Sequence, residues 1–303
     1  MNCIRLVFVP TMTMTMTLTL AIVLASCFGA PQAQAQFVCG GSANGAEPVT
    51  GAGAIAAGTG ANNNVACGTA NASGNASANS AFGNAANASG DDSTNVATGN
   101  QAIASGAGSN NVAAGNAANA GGAGSKNIAT GNGADSDGGT SNNIAVGASA
   151  NANGGVSGNL AIGTNTNASG NNGSNVAAGD SANASGAKSL NVATGDQANA
   201  SGDGARNLAT GVLAKAFGAG SFNIGTGNGA NASGATSSNI ATGNGANADS
   251  NGGTNSNNIA TGTNANASGD NSNNFAARPP SAASPRPRSP VPPRSSTALP
   301  RRA

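Results

Sequence analysis

One large aliphatic residue recurs every 16 positions through the middle of the chain, at Val96, Val112, Ile128, Ile144, Leu160, Val176, Val192, Leu208, Ile224 and Ile240. Val65 and Ser80 extend the series upstream, Ile259 and Phe275 downstream, with small slips in spacing, so the motif occurs 14 times. Asn stands immediately before this anchor in every copy, and Gly stands three residues after it in 13 of the 14. Val, Ile and Leu interchange at the anchor while the spacers diverge, which is what a repeated structural unit imposes and a recent duplication does not. Where Ser80 lacks the aliphatic group, Phe82 brings bulk two residues later.

The polar and apolar positions alternate as they do in strands. Anchor and second residue after it share one face, while the preceding Asn and the following Ala share the other. The anchor face, being the more hydrophobic, is expected to point inward. An Ala-x-Ala pair six and eight residues after the anchor, as in Ala182 and Ala184 or Ala198 and Ala200, predicts a second short strand. Gly and Asn between the two supply turns and at this frequency would penalise a helix heavily. The predicted fold is therefore all-β, a parallel β-solenoid of about 14 coils with a 16-residue period, and about 65 Å long at the usual strand spacing. One aliphatic side chain and a few alanines per coil bury little against the backbone entropy of 16 residues, many of them Gly. Ladder hydrogen bonds, stacked Asn side chains and contact between chains must supply the rest, which predicts an obligate oligomer.

Composition narrows the function. The 303 residues include no Trp, Tyr or His, and 7% are charged. Six of the 11 basic residues lie from Arg278 onward; between residues 37 and 277, Lys126, Lys188, Arg206 and Lys215 face all ten acids. A mildly acidic repeat region argues against nucleic acid as partner. Without His, the common catalytic triads and His-based metal sites are excluded. Asp135-Ser136-Asp137-Gly138 hints at a calcium loop, but Glu47 is the only Glu and the rest of the loop pattern is missing. Gly-rich stretches such as Gly51-Ala52-Gly53 are too unspecific for phosphate loops. Asn-Ala-Ser triplets at Asn71, Asn87, Asn183 and Asn231 match a glycosylation acceptor, but composition alone accounts for them. No cofactor or metal is expected, and no enzyme.

The chain divides into four parts. Residues 1–36 read as an export signal, with Arg5, an apolar run from Leu18 to Ala25, and a small-x-small site ending at Ala35. Leu24-Ala25-Ser26-Cys27 also fits a lipoprotein cleavage pattern, with Cys27 acylated, so two processing routes stay open. Both lead out of the cytoplasm, with no membrane span in the mature chain. Residues 37–60 read as a cap or half-coil, with a partial repeat at Ile55-Ala56-Ala57-Gly58. Cys39 and Cys67 either pair as a disulfide in an oxidising compartment or serve as two small hydrophobes. Residues 61–277 are the repeats. From Arg278 to Ala303 eight of the chain's 11 prolines appear with Arg and Ser. This is either a disordered basic tail suited to an anionic surface or the product of a lost reading frame, which the break in mid-motif favours.

The Asn-Val-Ala-x-Gly unit followed by Ala-x-Ala-x-Gly resembles the head repeats of YadA-like trimeric autotransporter adhesins, nearest at Asn142-Asn143-Ile144-Ala145-Val146-Gly147 and Asn159-Leu160-Ala161-Ile162-Gly163. The likeness covers roughly residues 55–277. It implies a left-handed parallel β-roll, three chains forming one head, display on a Gram-negative outer surface, and binding to host or environmental surfaces with autoagglutination. Thr98, Thr130, Thr194 and Ala178 stand where the family often has Ile, and no heptad stalk or membrane-anchor strands follow Ala277. A truncated adhesin fragment is therefore one alternative. Another is an ice- or polysaccharide-binding solenoid using Thr98, Thr130, Thr194, Thr210, Thr226, Thr242 and Thr261, although the expected inward direction of that position counts against it. Outward residues such as Asp91, Asp92, Lys126, Lys188 and Phe222, and the three-residue expansion between Ile240 and Ile259, are candidate ligand contacts.

Overall fold

The computed structural model describes residues 39–43, 53–59 and 63–278. The expected export signal, with both candidate cleavage sites, and the sequence from Pro279 onward lie outside the described residues. One 15-stranded sheet runs in chain order, without crossovers. It begins with β1 (Cys39–Ala43), which pairs antiparallel with β2 (Asn63–Cys67). Parallel pairing then continues through β3 (Ser80–Phe82), β4 (Val96–Thr98), β5 (Val112–Ala114), β6 (Ile128–Thr130), β7 (Ile144–Val146), β8 (Leu160–Ile162) and β9 (Val176–Ala178). It ends with β10 (Val192–Thr194), β11 (Leu208–Thr210), β12 (Ile224–Thr226), β13 (Ile240–Thr242), β14 (Ile259–Thr261) and β15 (Phe275–Ala277). Every anchor pairs with the next anchor, as in Val96↔Val112 and Leu160↔Val176. This is the parallel β-solenoid that the 16-residue period predicts.

The second limb of each coil is thinner than a strand. Single parallel bridges link the residue between the paired alanines, from Asn71↔Asn87 to Asn247↔Asn266. Two tight turns join the limbs. At the first, Gly131 holds φ +135°, and a Cβ there would sit 2.4 Å from the carbonyl oxygen of Gly147 in the next coil. Gly recurs three residues after the anchor because two backbones stack directly at that corner, with no room between them.

The interior is the reverse of the one that hydrophobicity predicts. The Ala after each anchor is fully buried (Ala97, Ala113, Ala129 and Ala145 are all 0% exposed), as is the Asn before it (Asn95, Asn111, Asn127 and Asn143, also 0%). The anchors point outward, with Ile128 37%, Ile224 36% and Phe275 72% exposed. Thr98, Thr130, Thr194, Thr242 and Thr261 are exposed beside them. Anchor and Thr share one face of each strand and Asn and Ala the other, as the alternation predicts, but the Asn/Ala face is the inner one. Two facing limbs carry inward alanines at three positions per coil, as in Ala97, Ala102 and Ala104. Their methyl groups fill the gap, so the interior is narrow and the branched side chains stay outside.

Buried Asn is affordable because the stack satisfies it completely. The Nδ2 of Asn127 donates to the carbonyl oxygens of Gly121 (2.7 Å) and Gly138 (2.8 Å). Its Oδ1 accepts from the Ser141 hydroxyl (2.9 Å) and from the backbone N–H of Asn143 in the next coil (3.0 Å). The same set recurs at Asn95, Asn111 and Asn143. The expected Asn stack is therefore a spine in which each carboxamide bonds the next coil's backbone and Ser hydroxyl rather than the next Asn side chain.

The N-terminal partial repeat also differs from expectation. Ile55 bridges to Asn71, with Ala54 (2%) and Ala56 (0%) buried on either side. It therefore occupies the middle of an Ala-x-Ala limb and is not an anchor. Ile103 takes the same slot in its own coil.

Candidate functional site

Outward-pointing anchors turn one face of the solenoid into a long strip. Along it run two adjacent columns, the anchors and the second residues after them, with successive rungs in register through β15. From Val65 to Ile259 the anchors are Val, Ile or Leu, except Ser80. The neighbouring column holds Thr in seven strands, with Val146 and Ile162 exposed at 37% and 44%. Neither column contains a charged residue. An exposed apolar surface of this extent, built from the most regular positions in the chain, marks an interaction face.

A third column, two residues before each anchor, borders the strip and carries the chain's larger departures from the repeat. Leu190 and Phe222 are 51% and 52% exposed there, and the Arg206 guanidinium lies 5.4 Å from the Phe222 ring centre between them. The other residues singled out as ligand contacts are spread along the rod. Lys126 precedes β6 and Phe222 precedes β12, six coils apart. Lys188 occupies a turn with φ 53°. Asp91 and Asp92 belong to the turn of the β3 coil, where the Asp91 carboxylate accepts the Asn75 backbone N–H at 2.7 Å and serves the turn itself. The expansion between Ile240 and Ile259 exposes Asn251, Gly252, Thr254 and Asn255. Inside it the Ser250 hydroxyl replaces a glycine carbonyl as acceptor for the Asn239 side chain, at 2.8 Å.

Cys67 is disulfide-bonded, and the β1–β2 register sets Cys39 opposite it. The antiparallel β1 closes the N-terminal edge of the sheet at that point. Among the described residues, no three His, Cys, Asp or Glu side chains gather as metal ligands, and no helix is long and apolar enough to cross a membrane.

No protein-family model and no curated protein matches the chain.

Proposed function

We propose that the chain is a non-catalytic, adhesin-type head module, exported to the cell surface or secreted, in which three copies pack side by side through their aliphatic strips. The observation that carries this reading is the uncharged apolar ladder running along the outside of the rod. A partner able to cover it over its whole length needs the same coil-to-coil spacing, and another copy of the chain has that spacing. Association buries the anchors and leaves the Asn/Ser limb, the variable turns and the Leu190–Arg206–Phe222 border facing outward. Those surfaces then meet the host or environmental ligand, and multiple heads on one cell give adhesion and autoagglutination by multivalency.

Sedimentation of the purified chain at three times its subunit mass, with β-type circular dichroism, is the expected result. A well-folded monomer would end the self-association reading. Beads coated with the protein are expected to clump and to bind immobilised extracellular-matrix protein, and beads that do neither would end the adhesin reading.

A second reading rests on a specific feature of the same face. Thr194, Thr210, Thr226, Thr242 and Thr261 form an unbroken outward row beside Val192, Leu208, Ile224, Ile240 and Ile259. The column faces outward rather than inward, as an ice- or polysaccharide-binding surface requires. A flat, regularly spaced hydroxyl-methyl row suits an ordered lattice of water or sugar hydroxyls. It requires the strip to be free, so a folded monomer with thermal hysteresis would favour it over the adhesin head.

A further inference from the structure

A ladder of nearly identical rungs has no unique alignment. Sliding one copy along another by a single coil, about 4.8 Å, sets Val against Ile or Leu in the anchor column and changes the buried surface by roughly a methylene per rung. Reversing one copy changes the anchor column equally little. The association surface proposed above is therefore ambiguous in register and polarity unless another feature breaks the repeat.

The break lies at the centre of the strip. In β4 to β15 the second residue after the anchor is Thr or Ala, except at Val146 in β7 and Ile162 in β8. These two lie on consecutive rungs in direct register, both exposed, with Ile144 and Leu160 as their anchors. Thr130 precedes them on the column and Ala178 follows. Together the four side chains make one wholly aliphatic block in a strip whose second column is otherwise Thr or Ala from β4 to β15.

We propose that Val146 and Ile162 are the alignment residues through which the chain selects a second copy of itself, parallel and in phase. The proposal rests on the self-association reading. In phase, the block of one copy meets the same block of its neighbour. A one-coil slip sets Val146 against Ile162 on one side but leaves the outer members facing Thr130 and Ala178. The Thr130 hydroxyl is then pressed against aliphatic groups without a partner, and the small Ala178 leaves a gap. A reversed copy aligned end to end sets β8 opposite β9 and β7 opposite β10, pairing Ile162 with Ala178 and Val146 with Thr194. A reversed copy shifted by two coils, with β7 opposite β8, also brings the blocks together, but it leaves the Ile259 and Phe275 rungs of both copies uncovered. Only the parallel, in-phase arrangement both closes the block and covers every rung.

Single cysteines on outward Thr positions read the alignment, with the unsubstituted chain as the blank for native thiols. Differently tagged copies are co-expressed and treated with a short thiol cross-linker. Thr242→Cys with Thr242→Cys reports the in-phase pair, Thr194→Cys with Thr242→Cys a three-coil slip, Thr98→Cys with Thr242→Cys the end-to-end reversed pair, and Thr98→Cys with Thr210→Cys the reversed pair shifted by two coils. The parent is expected to give only the in-phase product. The Val146→Thr/Ile162→Thr variant carries the residue already present at this position in seven strands, and so keeps the coil. In it the ratio of in-phase to other products is expected to fall about tenfold or more, as losing a buried apolar pair implies. Slipped or reversed products in the parent would overturn the proposal, as would an unchanged ratio in the double variant. Sedimentation separates these failures from failure of the underlying reading: a monomeric parent removes both, whereas an oligomer with mixed products removes only the alignment residues.

Discussion

At the scale of the residue, the buried Asn governs each coil. At Asn127 the four hydrogen bonds reach the carbonyls of Gly121 and Gly138, in the same turn of successive coils, a Ser hydroxyl and the backbone of the next coil, so one side chain ties two adjacent coils together. Asn127→Ala leaves the buried Asn143 N–H without its acceptor and the Ser141 hydroxyl with the Gly138 carbonyl alone. It should cost about 3 kcal/mol, checked by urea unfolding of parent and variant, since each buried group left unpaired carries its own desolvation penalty. Val156 shows the opposite case. It holds φ 54° with its side chain 63% exposed, a backbone region that β-branched residues avoid. Asn165 and Asn172 occupy left-handed positions in the neighbouring coil without difficulty. Val156→Asn should therefore raise stability by about 1 kcal/mol, seen as a higher midpoint of thermal unfolding.

At the scale of the element, the two glycines of one turn are not equivalent. Gly131 sits where the next coil's carbonyl leaves no space for a Cβ. Gly133, at φ +63°, has its nearest neighbour at 3.9 Å, and Ala117 takes the same place one coil earlier with φ 52°. Gly131→Ala must push two stacked backbones apart and should cost roughly 3 kcal/mol or more. Gly133→Ala should cost no more than about 1 kcal/mol. Comparing the two by chemical denaturation tests whether the corner contact, rather than glycine content in general, sets the repeat. If both variants lose the same stability, that explanation of the recurring Gly fails. The edges of the sheet differ in a related way. The N-terminal edge is covered by antiparallel β1 beside the disulfide-bonded Cys67, whereas β15 carries the 72% exposed Phe275.

At the scale of the whole molecule, the outward anchors separate folding from association. Were Ile144 and Leu160 core residues, replacing both with Asp would unfold the solenoid. On the outer face, the Ile144→Asp/Leu160→Asp variant should keep its β-type circular dichroism and its unfolding transition while sedimenting as a single chain. Loss of the β signal would restore the inward placement of the anchors, and an intact oligomer would remove the strip as the association surface. The proposed adhesive function depends on this separation, because a folded but monomeric variant should also lose bead clumping.

The sequence by itself determined the period, the strand character, the Gly corners and the parallel stack, because each follows from local rules read 14 times over. It also determined that anchor and Thr share a face and that Asn and Ala share the other, since alternation along a strand is fixed by backbone geometry. Which face is inside was decided only by the tertiary structure. A single coil offers an Asn side chain no acceptors beyond its own turn, so the anchor appears the better core residue. Stacking brings the next coil's Ser, Gly carbonyl and backbone N–H within reach and brings facing alanines so close that branched side chains must leave. The candidate site was legible only in part for the same reason. Its residues were visible as the most regular positions in the chain, but their availability to a partner depends on the thickness of a core that exists only once the coils are stacked. The slot of Ile55, the hydroxyl substitution at Ser250 and the adjacency of Val146 and Ile162 on an open face belong to the same class.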